Sequence, residues 1–446
     1  MTHSNSRLPR RAALLGAAGL LAGCETIDGW LGTRKTPLPG ERRSIMRMDP
    51  AVTADSGAEA RAVSLPPAEA IAEWPQNGGP ANHAPPHAEI GGALRVAWRS
   101  SIGYGSGYRQ RLTAGPVIAG GTVYAVDAYG VASAHSLDGG GRRWRFDTTP
   151  EEDSDGAVGG GVAVVDGVVY VATGLAEVLA LSAETGGVRW RVRVPAATRG
   201  APTVANGRIF VPTVENHLIA LSTEDGRRLW THRAGAQATL PFGLPAPAVD
   251  GDTVVAGFGT GEMAALRATD GRLLWQEGLG NTGANSIADI VGITGLPVID
   301  RGRVFASSLG NTTIAVDLRS GRRLWERAFG GENGVASSGD WVFAVTRAGD
   351  AVAVGRNDGR IRWVAELDPS PEGGRRRSSA LRFGPPMVAG GMVLVPSSRG
   401  ELLQLDPATG NVAGRISLSG GVTLPGAIAQ GTVVLLSDDG NLIALR

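Results

Sequence analysis

Short apolar runs separated by polar turns make up most of this chain. Residues 116–120 and 122–128 form one pair of such runs, and residues 204–206 and 208–213 form another. Runs of this length, rich in Val, Ile and aromatic residues and bounded by Gly, Asn or Asp, are typical of β-strands joined by tight turns. Helical periodicity is absent after the leader. The pattern therefore predicts an all-β fold.

A longer phrase follows these pairs of runs: an apolar residue, a Gly five positions later and a Trp four positions after the Gly. The five complete copies are Leu181/Gly186/Trp190, Leu221/Gly226/Trp230, Leu266/Gly271/Trp275, Val316/Gly321/Trp325 and Val354/Gly359/Trp363. Two variant copies flank them, with His135 ahead of Gly140 and Trp144, and with Gly414 in the Trp position after Leu405 and Gly410. The seven glycines are 38–51 residues apart, which is about the length of a four-stranded propeller blade.

Each phrase supplies the third and fourth strands of a blade. Its Gly suits the turn between them, because Gly tolerates a positive φ. Its Trp is expected to pack between neighbouring blades and to donate its indole N–H to a loop carbonyl. The tryptophans assigned this structural role are Trp98, Trp144, Trp190, Trp230, Trp275, Trp325 and Trp363.

The two ends of the repeat region indicate how the ring closes. Residues 427–430, 432–437 and 442–445 read as three strands of a last blade that lacks its outer strand. The first clear strand, residues 94–99, carries Trp98 and has no repeat before it. We therefore predict an eight-bladed β-propeller of four-stranded antiparallel blades over residues 74–446, in which the strand around Trp98 joins the C-terminal blade. Such closure hides the sheet edges.

Composition supports a turn-rich ring and disfavours one class of partner. The chain has 67 Gly in 446 residues and a formal net charge of +1. A nearly neutral chain with no basic stripe carrying interleaved aromatic residues has no electrostatic footprint for a polyanion. Nucleic acid is therefore not an expected partner.

The N-terminus predicts export. Arg7, Arg10 and Arg11 precede an apolar stretch over residues 12–22, which is too short for a permanent membrane span. We assign residues 1–23 to a signal peptide, using the general export route with the twin-arginine route as the alternative. The sequence LAGC ending at Cys24 resembles a bacterial lipobox, which implies that Cys24 is acylated. Cys24 is the single cysteine, so a disulfide within the chain is excluded.

Residues 24–73 have scattered Pro, Ala, Glu and Arg and little apolar pattern, so we expect a flexible tether that carries the lipid on Cys24. Within it, residues 29–46 contain Trp30 and a Pro-rich strip followed by Ile45 and Met46. This segment either docks on a partner or on the propeller side, or it is a plain linker.

The repeats around residues 317–325 resemble those of the pyrroloquinoline-quinone (PQQ) type propellers. Together with the lipobox, eight such blades resemble the BamB family, the propeller lipoproteins of the outer-membrane β-barrel assembly machinery, in its alphaproteobacterial form. The resemblance implies a non-enzymatic scaffold anchored by lipid on the periplasmic face of the outer membrane. It also implies binding to the periplasmic domains of the barrel-inserting, BamA-like subunit, assistance to the insertion of outer-membrane proteins, and contact with nascent outer-membrane proteins.

The same resemblance points to two loops as the contacts with the barrel-inserting subunit. They correspond to residues 239–245 and 285–293, which are long, apolar and almost uncharged; they lack the Arg and the acidic pair of the enterobacterial form. Apolar loops of this kind are typical of an interface core, and the alternative is that they fold back over the propeller mouth. The residues assigned to the partner patch are Leu240, Phe242, Leu244, Asp289 and Ile290.

Two other functions compete with the scaffold. Quinone-dependent dehydrogenases are similar in fold, but they pair the quinone with a Ca²⁺ site and often with adjacent cysteines, and adjacent cysteines cannot exist here. His83 and His87 are separated by two prolines and have no completing ligand nearby. We therefore predict no catalytic residue, no cofactor and no metal. The third alternative is a lipid-anchored propeller that binds envelope peptides in general.

Overall fold

Eight four-stranded antiparallel sheets form the fold, and all of its 32 regular elements are strands within the residues that the structure describes. The structure is a computed structural model that describes residues 51–57, 62–150, 159–235, 243–279, 291–368 and 381–446. No helix in this part of the chain is long and apolar enough to cross a membrane.

The strands follow one another along the chain as blades, except for the first. Strand β1 (Val96–Ser101) belongs to the last blade. Blades 1 to 4 consist of β2 (Val117–Ala119), β3 (Thr122–Val126), β4 (Val131–Ser136), β5 (Arg142–Asp147); β6 (Gly160–Val165), β7 (Val168–Thr173), β8 (Glu177–Ser182), β9 (Val188–Arg193); β10 (Thr203–Ala205), β11 (Arg208–Pro212), β12 (His217–Ser222), β13 (Arg228–Arg233); and β14 (Ala248–Asp250), β15 (Thr253–Gly257), β16 (Glu262–Arg267), β17 (Leu273–Gly278).

The remaining blades continue the series. Blades 5 to 8 consist of β18 (Val298–Asp300), β19 (Arg303–Ser308), β20 (Thr312–Asp317), β21 (Arg323–Arg327); β22 (Ala336–Ser338), β23 (Trp341–Val345), β24 (Asp350–Gly355), β25 (Ile361–Glu366); β26 (Met387–Ala389), β27 (Met392–Ser397), β28 (Glu401–Leu405), β29 (Val412–Ser417); and β30 (Ala427–Ala429), β31 (Thr432–Leu436), β32 (Asn441–Leu445) with β1. The first strands of successive blades are neighbours from blade 8 through blade 1 to blade 7, so they line the axis of the ring.

The ring closes through β1, as the sequence predicted. The last sheet has the order β1-β32-β31-β30, and Trp98 lies opposite Ala444. Beyond this pair, the backbone N–H of Arg95 donates to the carbonyl of Arg446 at 2.6 Å, and the N–H of Arg446 donates back at 2.9 Å. The eight-bladed antiparallel propeller with a shared terminal blade is therefore confirmed.

The seven structural tryptophans, six from the phrase together with Trp98, join neighbouring blades. Each indole N–H donates to a backbone carbonyl of the next blade at 2.7–3.2 Å. The acceptors, in chain order from Trp98 to Trp363, are Leu137, Ala183, Thr223, Ala268, Leu318, Arg356 and Pro407. Trp98 makes the bond from the closing strand to blade 1, so the closing seam has the same chemistry as the others.

A small residue on the third strand gives each Trp room inside its own blade. In blade 1, Ala134 lies between Tyr124 on the second strand and Trp144 on the fourth. The two rings are 5.9 Å apart between centroids. Four other blades repeat this arrangement with Tyr or Phe on the second strand at 5.8–6.2 Å. The Ala of the repeat is therefore required by ring packing.

Blade 7 departs from the pattern. Gly414 holds the Trp position, and its partner on the third strand is Gln404. A Cβ at Gly414 would lie 2.4 Å from Oε1 of Gln404, so the Gln side chain occupies this side of the sheet. The next blade has no third-to-fourth turn for a Trp to pack on, because its third and fourth strands are β32 and β1, which are not consecutive in the chain. The missing Trp is thus a consequence of where the ring closes.

The described parts of the predicted tether lie against the ring, which corrects the expectation that the tether is flexible up to residue 73. Asp55 accepts the N–H of Ile361 at 2.7 Å through its carboxylate. Val63 is buried in the core cluster shared by blades 6 and 7, and Ile71 packs in the cluster around blade 8. Isolated apolar anchors of this kind fill separate sites and leave no period in the sequence.

Candidate functional site

A strap formed by residues 74–86 crosses the inner strands of the ring. Trp74 exchanges both backbone hydrogen bonds with Ile118 of β2, at 2.7 and 2.8 Å. The carbonyl of Pro75 accepts from Val164 of β6 at 2.8 Å, and the carbonyl of Ala81 accepts from Val249 of β14 at 2.7 Å. Because first strands expose unpaired backbone groups toward the axis, the strap satisfies them.

The strap also pairs with backbone groups of the first strands in blades 3 and 5, through a side chain in blade 3 and its own backbone in blade 5. The side-chain amide of Gln76 makes two hydrogen bonds with the backbone of Val204 in β10. It donates to the carbonyl at 3.0 Å and accepts from the N–H at 2.7 Å. The carbonyl of Asn82 accepts from Ile299 of β18 at 2.8 Å. The strap therefore contacts five of the eight blades, blades 1 to 5.

A cavity of about 710 Å³ lies at the axis, bounded by the strap and by the connections between blades. This volume is in the range of small-molecule sites. Its walls are mainly apolar side chains: Leu112, Leu244, Leu296, Leu424, Phe383, Pro85, Pro86, Pro245, Pro385, Pro386 and Pro425. Strand direction alternates within a blade, so the connections between blades all lie on one face of the ring, and the cavity opens there.

Charges occur at the rim of this cavity. The charged residues in its described lining are Arg111, Glu332, Arg382 and Asp438. The first three are exposed, and Asp438 is half-buried. Burial raises the pKa of Asp438, while Arg382 and Arg111 oppose that change, and Thr423 donates its hydroxyl to the carboxylate at 2.8 Å. The rim thus carries two cations and two carboxylates.

His83 and His87 do not share a site. His83 Nδ1 lies 2.8 Å from the carbonyl of Pro297, whereas His87 Nδ1 lies 2.8 Å from the carbonyl of Pro66 and its Nε2 accepts from Gly391 N–H at 2.8 Å. Burial lowers the pKa of His83 to about 4, so its imidazole is neutral at pH 7. Both rings hold the N-terminal segment on the propeller.

Aromatic residues stand beside the cavity mouth. Tyr108 is 96% exposed and Tyr104 is 62% exposed, and Tyr104 makes an edge contact with Tyr129 at 4.8 Å between centroids. Ser106, Gly107 and Arg111 of the same connection line the cavity. Neither this connection nor the strap contains a repeat, so neither is predicted from the sequence pattern; the Tyr-Gly-Ser-Gly-Tyr run at residues 104–108 is the available signal.

Of the five predicted partner residues, the structure describes only Leu244. Leu240, Phe242, Asp289 and Ile290 lie outside the described residues, as do Cys24, the leader 1–23 and segment 29–46. Leu244 is 6% exposed and lines the cavity. Its place in an exposed patch is therefore corrected: the side chain packs inward at the base of its loop, where its N–H bonds the carbonyl of Arg199 at 3.1 Å.

The cavity does not fit a quinone held beside calcium. Of its described carboxylates, Glu332 is exposed at the rim and Asp438 is engaged by Thr423. Within the described ranges, no group of three or more His, Cys, Asp or Glu side chains is placed to hold a metal ion. Ca²⁺ sites combine carboxylates with other oxygen ligands, and the described lining contributes two carboxylates, neither of them in such a group.

Comparisons with known proteins agree with the fold. The family model described as outer membrane protein assembly factor BamB matches residues 128–365 and 349–446. A protein of that name from Xanthomonas campestris pv. campestris is 31% identical over 454 residues, covering 98% of this chain and 97% of the relative.

Solved structures extend the likeness in fold. BamB from Moraxella catarrhalis has a TM-score of 0.67 at 20% identity, covering 79% of this chain and all of that one (100%). Quinohemoprotein alcohol dehydrogenase from Comamonas testosteroni has a TM-score of 0.66 at 14% identity, covering 84% of this chain and 80% of that one. At these identities only the propeller architecture is shared, and the same architecture occurs in an assembly factor and in an enzyme.

Proposed function

Because the chain belongs to the outer membrane protein assembly factor BamB family, we propose that it is a non-enzymatic scaffold lipoprotein of the outer-membrane β-barrel assembly complex. It is anchored through the acylated Cys24 on the periplasmic face of the outer membrane, binds the barrel-inserting subunit and assists the insertion of outer-membrane proteins. The near full-length match to a relative of that name carries this proposal.

The geometry supports a platform for protein contacts. All eight sheets are joined in one ring, with seven indole-to-carbonyl bonds between blades. The strap covers inner strand edges that would otherwise pair with other chains. Recognition then falls to the connections between blades, which a rigid ring holds in fixed positions.

We assign the contact with the barrel-inserting subunit to the connections that follow β13 and β17, through Leu240, Phe242, Asp289 and Ile290. The support is their apolar, nearly uncharged sequence and the resemblance to the family's docking loops. We assign Leu244 a structural role instead, because its side chain is buried at the base of the first loop.

Charge placed in the first loop tests this assignment. The double variant Leu240→Glu/Phe242→Glu is expected to lose co-purification with the barrel-inserting subunit while its thermal unfolding stays unchanged. A matched control places the same charges on exposed apolar residues of outer strands, Val188→Glu/Leu273→Glu, and is expected to keep the partner. Normal co-purification by the loop variant would refute the assignment.

The lipid anchor has its own test. Cys24→Ser removes the acceptor thiol, and the variant is expected to leave the membrane fraction for the soluble periplasmic fraction. Retention of Cys24→Ser in the outer membrane would contradict anchoring through this residue.

A redox enzyme is the second candidate, because a quinoprotein shares the propeller fold, although the described carboxylates of the axial cavity form no group suited to calcium. Incubation of the purified chain with PQQ, Ca²⁺, alcohols and an artificial electron-accepting dye distinguishes the two. The scaffold proposal expects no dye reduction above the level without protein, and turnover would replace it.

A further inference from the structure

The chain passes from blade 5 to blade 7 without a hydrogen bond to the strand between them. Asn82 bonds Ile299 in blade 5, and the N–H of Ala88 donates to the carbonyl of Val388 in blade 7 at 3.1 Å. Among the bonds of the described chain, residues 84–86 make none with β22, the first strand of blade 6. Two of these three residues are prolines, which have no N–H to donate. Residues 84–86, which we call the flap, are therefore held at their two ends.

One histidine stands at each end of the flap, and each ring is bonded as a neutral imidazole. His83 Nδ1 donates to the carbonyl of Pro297 at 2.8 Å, because a carbonyl oxygen only accepts, and its Nε2 is buried without a hydrogen-bond partner. His87 Nε2 accepts from the N–H of Gly391 at 2.8 Å, and its Nδ1 donates to the carbonyl of Pro66 at 2.8 Å. Both rings thus carry one proton, on Nδ1.

A second proton on either ring opposes these contacts. On His87 it would set two N–H donors against each other, one at Nε2 and the other at Gly391. On His83 it would leave a buried positive charge without an acceptor, and burial already lowers the pKa of this ring to about 4. Acid therefore weakens the attachment of the flap at both of its ends.

No charged side chain is paired with either ring in the described chain. Burial and a backbone hydrogen bond are the influences on the pKa of His83, and no charge adds to them. Next to His87, the N–H of Glu69 donates to the His87 carbonyl and the N–H of Glu89 donates to the Glu69 carbonyl, both at 2.8 Å. The side chains of these two glutamates are exposed, so solvent screens them. The other carboxylates of the region are those of the cavity rim, Glu332 and Asp438.

The flap is part of the cavity wall, since Pro85 and Pro86 line the axial cavity together with Ala336 and Ser337 of β22. We propose that residues 84–86 are a movable wall of the axial cavity, and that acid frees this wall through protonation of His83 and His87. The blades themselves stay joined, because their indole-to-carbonyl bonds do not involve the flap. The opening is therefore local. This proposal does not depend on membership of the assembly complex.

Hydrogen exchange followed by mass spectrometry tests the proposal on the purified full chain at pH 7 and pH 5, with rates corrected for the intrinsic effect of pH. The reporters are the N–H groups of Ala88 and Gly391, which are bonded at the His87 end of the flap. Because the pKa of His83 is about 4 in place and ordinarily 6.5, linkage predicts that their protection falls about 20-fold between pH 7 and pH 5. The amides of β3 (Thr122–Val126) are expected to keep their protection.

Glutamine variants show whether the two histidines are responsible. A Gln side chain keeps one donor and one acceptor, as in a neutral imidazole, and cannot titrate. The double variant His83→Gln/His87→Gln is therefore expected to keep the protection of the flap ends at pH 5. The matched control is His232→Gln, at a half-buried histidine on the outer strand of blade 3, and it is expected to lose protection as the native chain does.

Three results would overturn the proposal. They are equal protection of the flap ends at pH 7 and pH 5 in the native chain, an equal loss of protection in the double variant, and a loss that extends to β3, which would mean global unfolding. If the double variant is already unprotected at pH 7, the single variant His87→Gln takes its place. It is expected to lose less protection than the native chain, and a loss equal to the native one contradicts the proposal.

Discussion

Gly140 lies against the ring of Trp98, at the seam where the chain's first strand meets blade 1. A Cβ at Gly140 would be 2.5 Å from Cε3 of Trp98. The same relation holds at every turn of the repeat, where φ is 68–78° and a Cβ would lie 2.5–2.9 Å from the Trp of the preceding blade. Gly is thus required for two reasons. The turn needs a positive φ, and the indole of the preceding blade leaves no room for a Cβ.

Gly140→Ala therefore should weaken the closing seam more than a substitution one residue away. We expect a loss of about 2 kcal/mol in the free energy of unfolding, from the left-handed φ and displacement of Trp98. Gly141 has no atom within 4 Å of a Cβ and lies outside the left-handed region, so Gly141→Ala should change stability by less than about 0.5 kcal/mol. Urea unfolding of both variants measures the difference, and equal stabilities would contradict this role for Gly140.

A buried ion pair joins blades 5 and 6. Arg356 is 4% exposed, and its Nε donates to Oδ2 of Asp300 at 3.0 Å. Removal of one partner leaves a buried charge, so Asp300→Ala should cost about 3 kcal/mol. The exposed pair of Arg267 and Asp270 is the control, where Asp270→Ala should cost under about 1 kcal/mol. Chemical denaturation measures both losses. Equal losses of unfolding free energy for Asp300→Ala and Asp270→Ala would show that the buried pair contributes no more than the exposed one.

Acid should destabilise the protein through His83. Its pKa is about 4 in the folded chain, against an ordinary value of 6.5. The folded state thus favours the neutral ring, and the stabilisation is complete above pH 6.5 and is lost as the pH falls toward 4. At about 1.4 kcal/mol per pKa unit, the loss is about 3 kcal/mol.

His83→Gln, which cannot titrate, isolates this contribution. Its free energy of unfolding, measured by denaturant titration between pH 7 and 4, should fall by about 3 kcal/mol less than that of the native chain. Parallel pH profiles for the two proteins would rule out a buried neutral His83.

The repeat made the architecture predictable from sequence, because blades 1 to 6 each contain the Gly and the Trp of the phrase. Closure by the strand of Trp98 also followed, since the last blade lacked a fourth strand. The strap and the cavity did not follow. Trp74, Gln76 and His83 hold the strap through contacts with residues up to 214 positions away, and such contacts leave no local period. Leu244 was misplaced for a related reason: an apolar loop residue looks the same whether a partner or the ring itself covers it.

Affinity isolation of the intact lipidated chain from gently solubilised membranes tests the functional account most directly. The account predicts recovery of a large outer-membrane barrel with periplasmic repeat domains, in a complex that Leu240→Glu/Phe242→Glu fails to retain. Recovery of the chain alone, or together with quinone-dependent reduction of a dye, would contradict the conclusion that this ring is a scaffold of barrel assembly.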